Sequence, residues 1–133
     1  MAATGQRRAG QRAARRKLSR SADFDRVFRE GRSFATRHLV LHAFPRTDAD
    51  SVESDASPRL GVSVGRRVGG AVERNRVKRM LREAFRAVAP SLPSAHDFVI
   101  VARAEAGELA QTGGEPAFEQ SLRELVAEAG LSR

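Results

Sequence analysis

The chain has no cysteine, tryptophan or tyrosine. Without thiols, neither a disulfide framework nor a thiolate metal site can form, so apolar burial must hold the fold. Apart from three histidines, seven phenylalanines are the only rings available for stacking, which limits how far aromatic contacts can carry recognition. No apolar run approaches the roughly 18 residues of a membrane span. The basic start is not followed by the apolar region of a secretion signal, which points to the cytoplasm. Acid is the scarcer charge: 16 Asp and Glu face 24 Lys and Arg, a net charge of +8 with a pI near 11.5. Nucleic acid is therefore the leading partner and an anionic membrane surface the second. With 133 residues, 41% of them hydrophobic, the chain has material for about one domain with a modest core.

The charge is concentrated. Residues 1–20 carry seven Arg or Lys and no acid, whereas from Ala104 onward six Glu face only Arg123 and Arg133. Between them, residues 66–86 (RRVGGAVERNRVKRMLREAFR) hold eight basic and two acidic residues. An apolar ladder of Val77, Met80, Leu81, Ala84, Phe85 and Val88 runs through that stretch at three- and four-residue spacing, the period of an amphipathic helix. Arg74, Asn75, Lys78, Arg79, Arg82 and Arg86 fall on the opposite arc, with Arg76 at its edge, and Glu73 sits in the first turn, where the helix dipole favours it. One face docks on a core while the other presents cations to a polyanion.

After Met1, residues 2–17 lack any large apolar side chain, and residues 1–17 are expected to form a disordered basic tail, leaving 18–130 as a single RNA-binding domain. Ser21 can cap a helix over 22–30, ended by Gly31. Phe24, Val27 and Phe28 share one of its faces, either as core or with one or both rings lining a groove. Residues 33–44 alternate as a strand, either continuous or split, with Leu39, Leu41 and Ala43 on one side and His38, Val40, His42 and Phe44 on the other. Residues 47–58 read as a solvated hairpin loop, and residues 60–65 (LGVSVG) as a strand with one nearly bare face. Pro90 and Pro93 stop the central helix. The nearly continuous apolar run 96–104 suits an inner strand, 105–116 reads as a loop, and 117–129 as a last helix ended by Gly130. The expected fold is a two-layer α/β (α+β) sandwich: a small, mostly antiparallel mixed sheet with three helices in the order α-β-β-α-β-α.

A catalytic constellation is missing from this pattern. On a strand, His38 and His42 stand about 13 Å apart with no nearby carboxylate, so they make no metal motif. Ser63 is outside a G-x-S-x-G elbow, and the acids form no evident Mg²⁺ pair. Binding is the better reading than catalysis by this chain.

At the central helix, Arg74-Asn75-Arg76-Val77-Lys78-Arg79 with Arg82 resembles the R-N-R-x-K-R-x-x-R signature of the bacterial ribonuclease P protein subunit. The flanks extend the likeness over about residues 18–129. Asp23-Phe24, Val27-Phe28 and Gly31 are similar to the family's first helix, and Arg37 with Leu39-Val40-Leu41 to its first strand. Gly61 to Gly65 and Val68 to Val72 are similar to the lead-in to the signature, and Asp97 to Arg103 to a later strand. The resemblance implies a partner RNA that itself performs Mg²⁺-dependent removal of the 5′ leader from precursor tRNA, so Mg²⁺ is expected through the RNA subunit. It implies contacts to that RNA through Arg66, Arg67, Arg74, Asn75, Arg76, Lys78, Arg79 and Arg82. A leader cleft would fall on Phe24, Phe28, Arg37, His42 and Ser63. His42 stands where the family commonly has Tyr. The protein is expected to be monomeric outside the complex; a structural RNA-binding protein of another ribonucleoprotein, such as the ribosome, is the alternative.

Overall fold

The computed structural model describes residues 21–46 and 57–131. The basic tail (1–17) and most of the acidic loop (47–56) lie outside the described residues. In chain order the elements are α1 (Ser21–Glu30), β1 (Arg32–Ala35), β2 (Leu39–Pro45), β3 (Arg59–Val64), α2 (Ala71–Val88), a 3-10 turn (Ala89–Ser91), β4 (His96–Ala102), α3 (Ala106–Thr112) and α4 (Gly114–Glu128).

The four strands form one sheet in the order β1-β2-β4-β3. β1 pairs with β2 and β2 with β4 antiparallel, while β3 pairs with β4 in parallel. The apolar run of β4, residues 98–102, therefore lies inside the sheet, as its composition requires. This order corrects the hairpin expected across residues 47–58, because β4 separates β2 from β3. Period-two patterning determines which residues face each other but not which strands are neighbours. The first strand is indeed split, at Thr36: its hydroxyl accepts the His38 and Leu39 N–H groups (3.3 and 3.2 Å) and lies 3.0 Å from the Ser121 hydroxyl of α4.

Alternation sends Leu39, Leu41 and Ala43, together with Leu60, Val64, Phe98, Ile100 and Ala102, to one face of the sheet. There they meet Val77, Leu81, Ala84, Phe85 and Val88 of α2, Ala106 and Ala110 of α3, and Phe118, Leu122, Leu125 and Val126 of α4. This is the main core, and the apolar ladder of α2 supplies a large part of it. Met80 packs against its rim without full burial.

The expected loop at 105–116 is a helix, α3, and α4 begins three residues earlier than the apolar pattern implied. Gly107, Gly113 and Gly114 give that segment the composition of a loop. Gly107 is there for close packing: a Cβ on it would lie 2.6 Å from the Val68 carbonyl oxygen, so α3 can press on the turn that leads into α2. The count is thus four α-helices, not three, among the described residues. At the far end, Gly130 is left-handed (φ 72°) and Leu131 N–H reaches the Val126 carbonyl at 3.0 Å, which closes α4. No helix of the described residues is long and apolar enough to cross a membrane.

Candidate nucleic-acid interface

Among the described residues, the opposite face of the sheet is covered only in part. α1 lies over it, and Val27 and Val99 are the fully buried pair of this second, small core among the described residues, with Phe24, Phe44 and Val101 packed around them. Phe24 rests on the bare strand β3: a Cβ built on Gly61 would stand 2.5 Å from the tip of its ring. The space predicted above that glycine is therefore occupied by Phe24, from the chain itself. Phe28, one turn further on, behaves differently. It is 44% exposed, and its ring meets the His42 imidazole edge-on at 4.7 Å and 83°. Phe24 and Phe28 are 6.4 Å apart. The two rings therefore differ: Phe24 packs between α1 and the sheet, while Phe28 stands exposed beside His42.

Half-burial beneath α1 lowers the pKa of His42 through desolvation, which disfavours the imidazolium. At neutral pH the cleft wall therefore carries an uncharged ring with one donor and one acceptor nitrogen. Ser63 lies further along the same sheet face, exposed, where a groove of about 450 Å³ opens among Ser63, Gly65, Arg67, Val68, Val101 and Arg103. Arg103 donates to the Thr36 carbonyl (3.2 Å) and its N–H to the His38 carbonyl (2.8 Å), which seats it against the exposed turn that carries Arg37. The open face thus runs from two rings at one end to guanidinium groups at the other. Arg103 belongs to the motif quoted above, but no periodicity singled it out. Its place depends on β4 ending beside β3.

On the other side of the sheet, α2 presents Asn75, Arg76 and Arg79 to solvent, while Arg74, Lys78 and Arg82 are half-buried along its flanks. Arg66 and Arg67 are exposed in the turn before it, where Gly69 N–H bonds the Arg66 carbonyl at 3.2 Å. The cationic helix and the cleft therefore lie on opposite faces of the sheet, and the Arg66-Arg67 turn connects them. The acidic residues of α4, including Glu119 and Glu124, occupy a third surface, where Arg123 is paired with Glu119 at 3.0 Å.

Residues 13–129 match the family model described as Ribonuclease P. The chain belongs to the ribonuclease P protein family. It is 35% identical over 115 residues to the ribonuclease P protein component of Clostridium acetobutylicum, covering 86% of this chain and 89% of that one. The solved RNase P protein of Staphylococcus aureus superposes with a TM-score of 0.71 at 29% identity, over 88% of this chain and 97% of that one. The Thermotoga maritima protein gives a TM-score of 0.71 at 27% identity, over 86% and 97%. The matched residues include α1, the whole sheet and α2.

Proposed function

We propose that this chain binds the RNA subunit of ribonuclease P through α2 and its lead-in turn, and holds the 5′ leader of precursor tRNA on the open sheet face. As a member of the family the chain is a subunit of the ribonuclease P holoenzyme, an endoribonuclease that matures tRNA 5′ ends. The observation that carries the division of labour is the separation of two chemically different surfaces by the sheet. The helix offers guanidinium and ammonium groups around one amide, Asn75. Arg matches phosphate oxygens two at a time, Lys acts as a point charge, and Asn75 can pair with a ribose 2′-hydroxyl.

The open face suits a single strand of any sequence. Phe28 and neutral His42 give a base two rings to stack on, and stacking does not discriminate strongly among bases. Arg37, Arg67 and Arg103 line the other end, where phosphates need compensation. Phe24 supports α1 from beneath, and Ser63 adds a hydroxyl at the groove. In this reading Mg²⁺ belongs with the RNA subunit. Among the described residues no group of three or more His, Cys, Asp or Glu is placed to hold a metal ion. The protein works as a single copy in the cytoplasm, raising the affinity of the RNA enzyme for its substrate and not cutting the strand itself.

Reconstitution tests this directly. Added to a bacterial ribonuclease P RNA at low Mg²⁺, the protein should restore cleavage of precursor tRNA at the mature 5′ end. Cleavage unchanged by the protein would overturn the proposal.

A further inference from the structure

Asp97 is the one acidic residue of the inner strand β4, and it is completely buried. A carboxylate in that position is costly unless it is paired and hydrogen-bonded. Three guanidinium groups from three separate segments meet that need. Arg59 of β3, its cross-strand neighbour, grips it bidentately, Nε to Oδ1 and Nη2 to Oδ2, both at 2.7 Å. Arg46, just beyond β2 and itself buried, donates from Nη1 to Oδ1 at 3.2 Å and from Nη2 to the Ser57 carbonyl at 2.9 Å. Arg26 comes down from α1 on the open side: its Nη2 stands 3.7 Å from Asp97 Oδ2 and 3.3 Å from Asp23 Oδ1, and its guanidinium lies 5.2 Å from the centre of the Phe44 ring.

The first two contacts knit the sheet and the end of β2 together. The third joins α1 to the sheet, and α1 needs it, because the apolar contact beneath this helix is small. Among the described residues only Val27 and Val99 are fully buried there, against the extended core on the other face. α1 also carries Phe28, whose ring meets His42 of the sheet edge-on at 4.7 Å, so the position of α1 decides whether these two rings stand together. We propose that Asp97, acting through Arg26, is a positioning residue for the substrate cleft: it holds α1 at the height above the sheet at which Phe28 and His42 can receive a base. This rests on the reading of that face as the leader site. It assigns to Asp97 and Arg26 no contact with RNA.

Asp97→Asn would strip the counter-charge from buried Arg46 and risks the fold, so the informative change is Arg26→Gln, which leaves Arg46 and Arg59 on the carboxylate. Holoenzyme assembled with this variant, with Phe28→Ala and with the unchanged protein is titrated with precursor tRNA bearing a multi-nucleotide leader or a single-nucleotide leader, over a range of salt. Arg26→Gln should weaken binding of the long-leader substrate roughly fivefold, the equivalent of a partly exposed ion pair. The single-nucleotide substrate should bind as before and the salt slope should not change. In the free variant, the His42 ring-proton resonances should move as the Phe28 ring is released. General destabilisation would weaken both substrates alike and would overturn the proposal. So would a salt slope reduced by about one unit, which would mean that Arg26 touches a phosphate itself. If Phe28→Ala weakens long-leader binding and Arg26→Gln does not, the positioning role fails while the cleft stands. If neither variant distinguishes the two substrates, the cleft reading fails and the positioning role with it.

Discussion

Replacing Phe28 by alanine tests the separation of core from cleft most directly. A fully buried phenylalanine costs about 3–5 kcal/mol when truncated to alanine. Phe28 is 44% exposed and stands at an open mouth, so no sealed cavity is left behind, and roughly half its transfer term was never gained. Its edge contact with His42 at 4.7 Å contributes about 0.5–1.5 kcal/mol of its own. The expected loss of stability is therefore about 1–2 kcal/mol. In urea this moves the unfolding midpoint of the free protein by roughly 0.5–1 M. A base stacked on the ring is worth about 1–3 kcal/mol, so affinity of the holoenzyme for a precursor with a multi-nucleotide leader should fall by roughly 5- to 150-fold, with mature tRNA bound as before. The assay pairs urea unfolding of the variant with equilibrium binding of both RNAs. A loss of more than 3 kcal/mol of stability with leader affinity unchanged would refute the reasoning and return Phe28 to the core.

Gly61→Ala places a methyl group against the tip of the Phe24 ring; it should cost about 1–3 kcal/mol by overpacking, and thermal or urea unfolding should show Phe24→Leu restoring part of the loss. For His42, burial sets the folded pKa below the unfolded value of about 6.5. The unfolded chain therefore binds the proton first, and the stability present above pH ~6.5 declines as the pH falls toward the lowered folded pKa. Urea unfolding at pH 5 and pH 7.5 should show a smaller difference in His42→Gln than in the unchanged protein. On α2, Arg76 is exposed, so Arg76→Ala should leave unfolding nearly unchanged while weakening RNA-subunit binding and lowering the salt slope by about one unit; an unchanged slope would remove Arg76 from the interface.

How far the sequence alone reaches varies along the chain. α2 was legible in full, because its apolar ladder and its cations follow one period and a long helix averages over local exceptions. α3 was not. Its burial comes from Ala106, Gly107 and Ala110, residues with little apolar signal whose value lies in letting the Val68 turn approach. The contrast between Phe24 and Phe28 was equally hidden. Four residues apart, they share a helix face, and only the position of that helix over Gly61 and His42 separates them.

By itself, the sequence determined the chemistry available to this protein: no thiols, few rings, a surplus of guanidinium groups, and a helix that must turn apolar side chains one way and cations the other. Those properties follow from composition and periodicity, which are local. Strand order belongs to the tertiary structure, since an alternating strand pairs equally well with several neighbours until helices cover one face. By inserting β4 between β2 and β3, the fold buries Asp97 among arginines from three segments and leaves one sheet face half open. It also places the α2 cations on the far side of the sheet from that opening. Two chemically different surfaces on one small domain are a property of that arrangement, because long-range packing alone decides which side chains share a space.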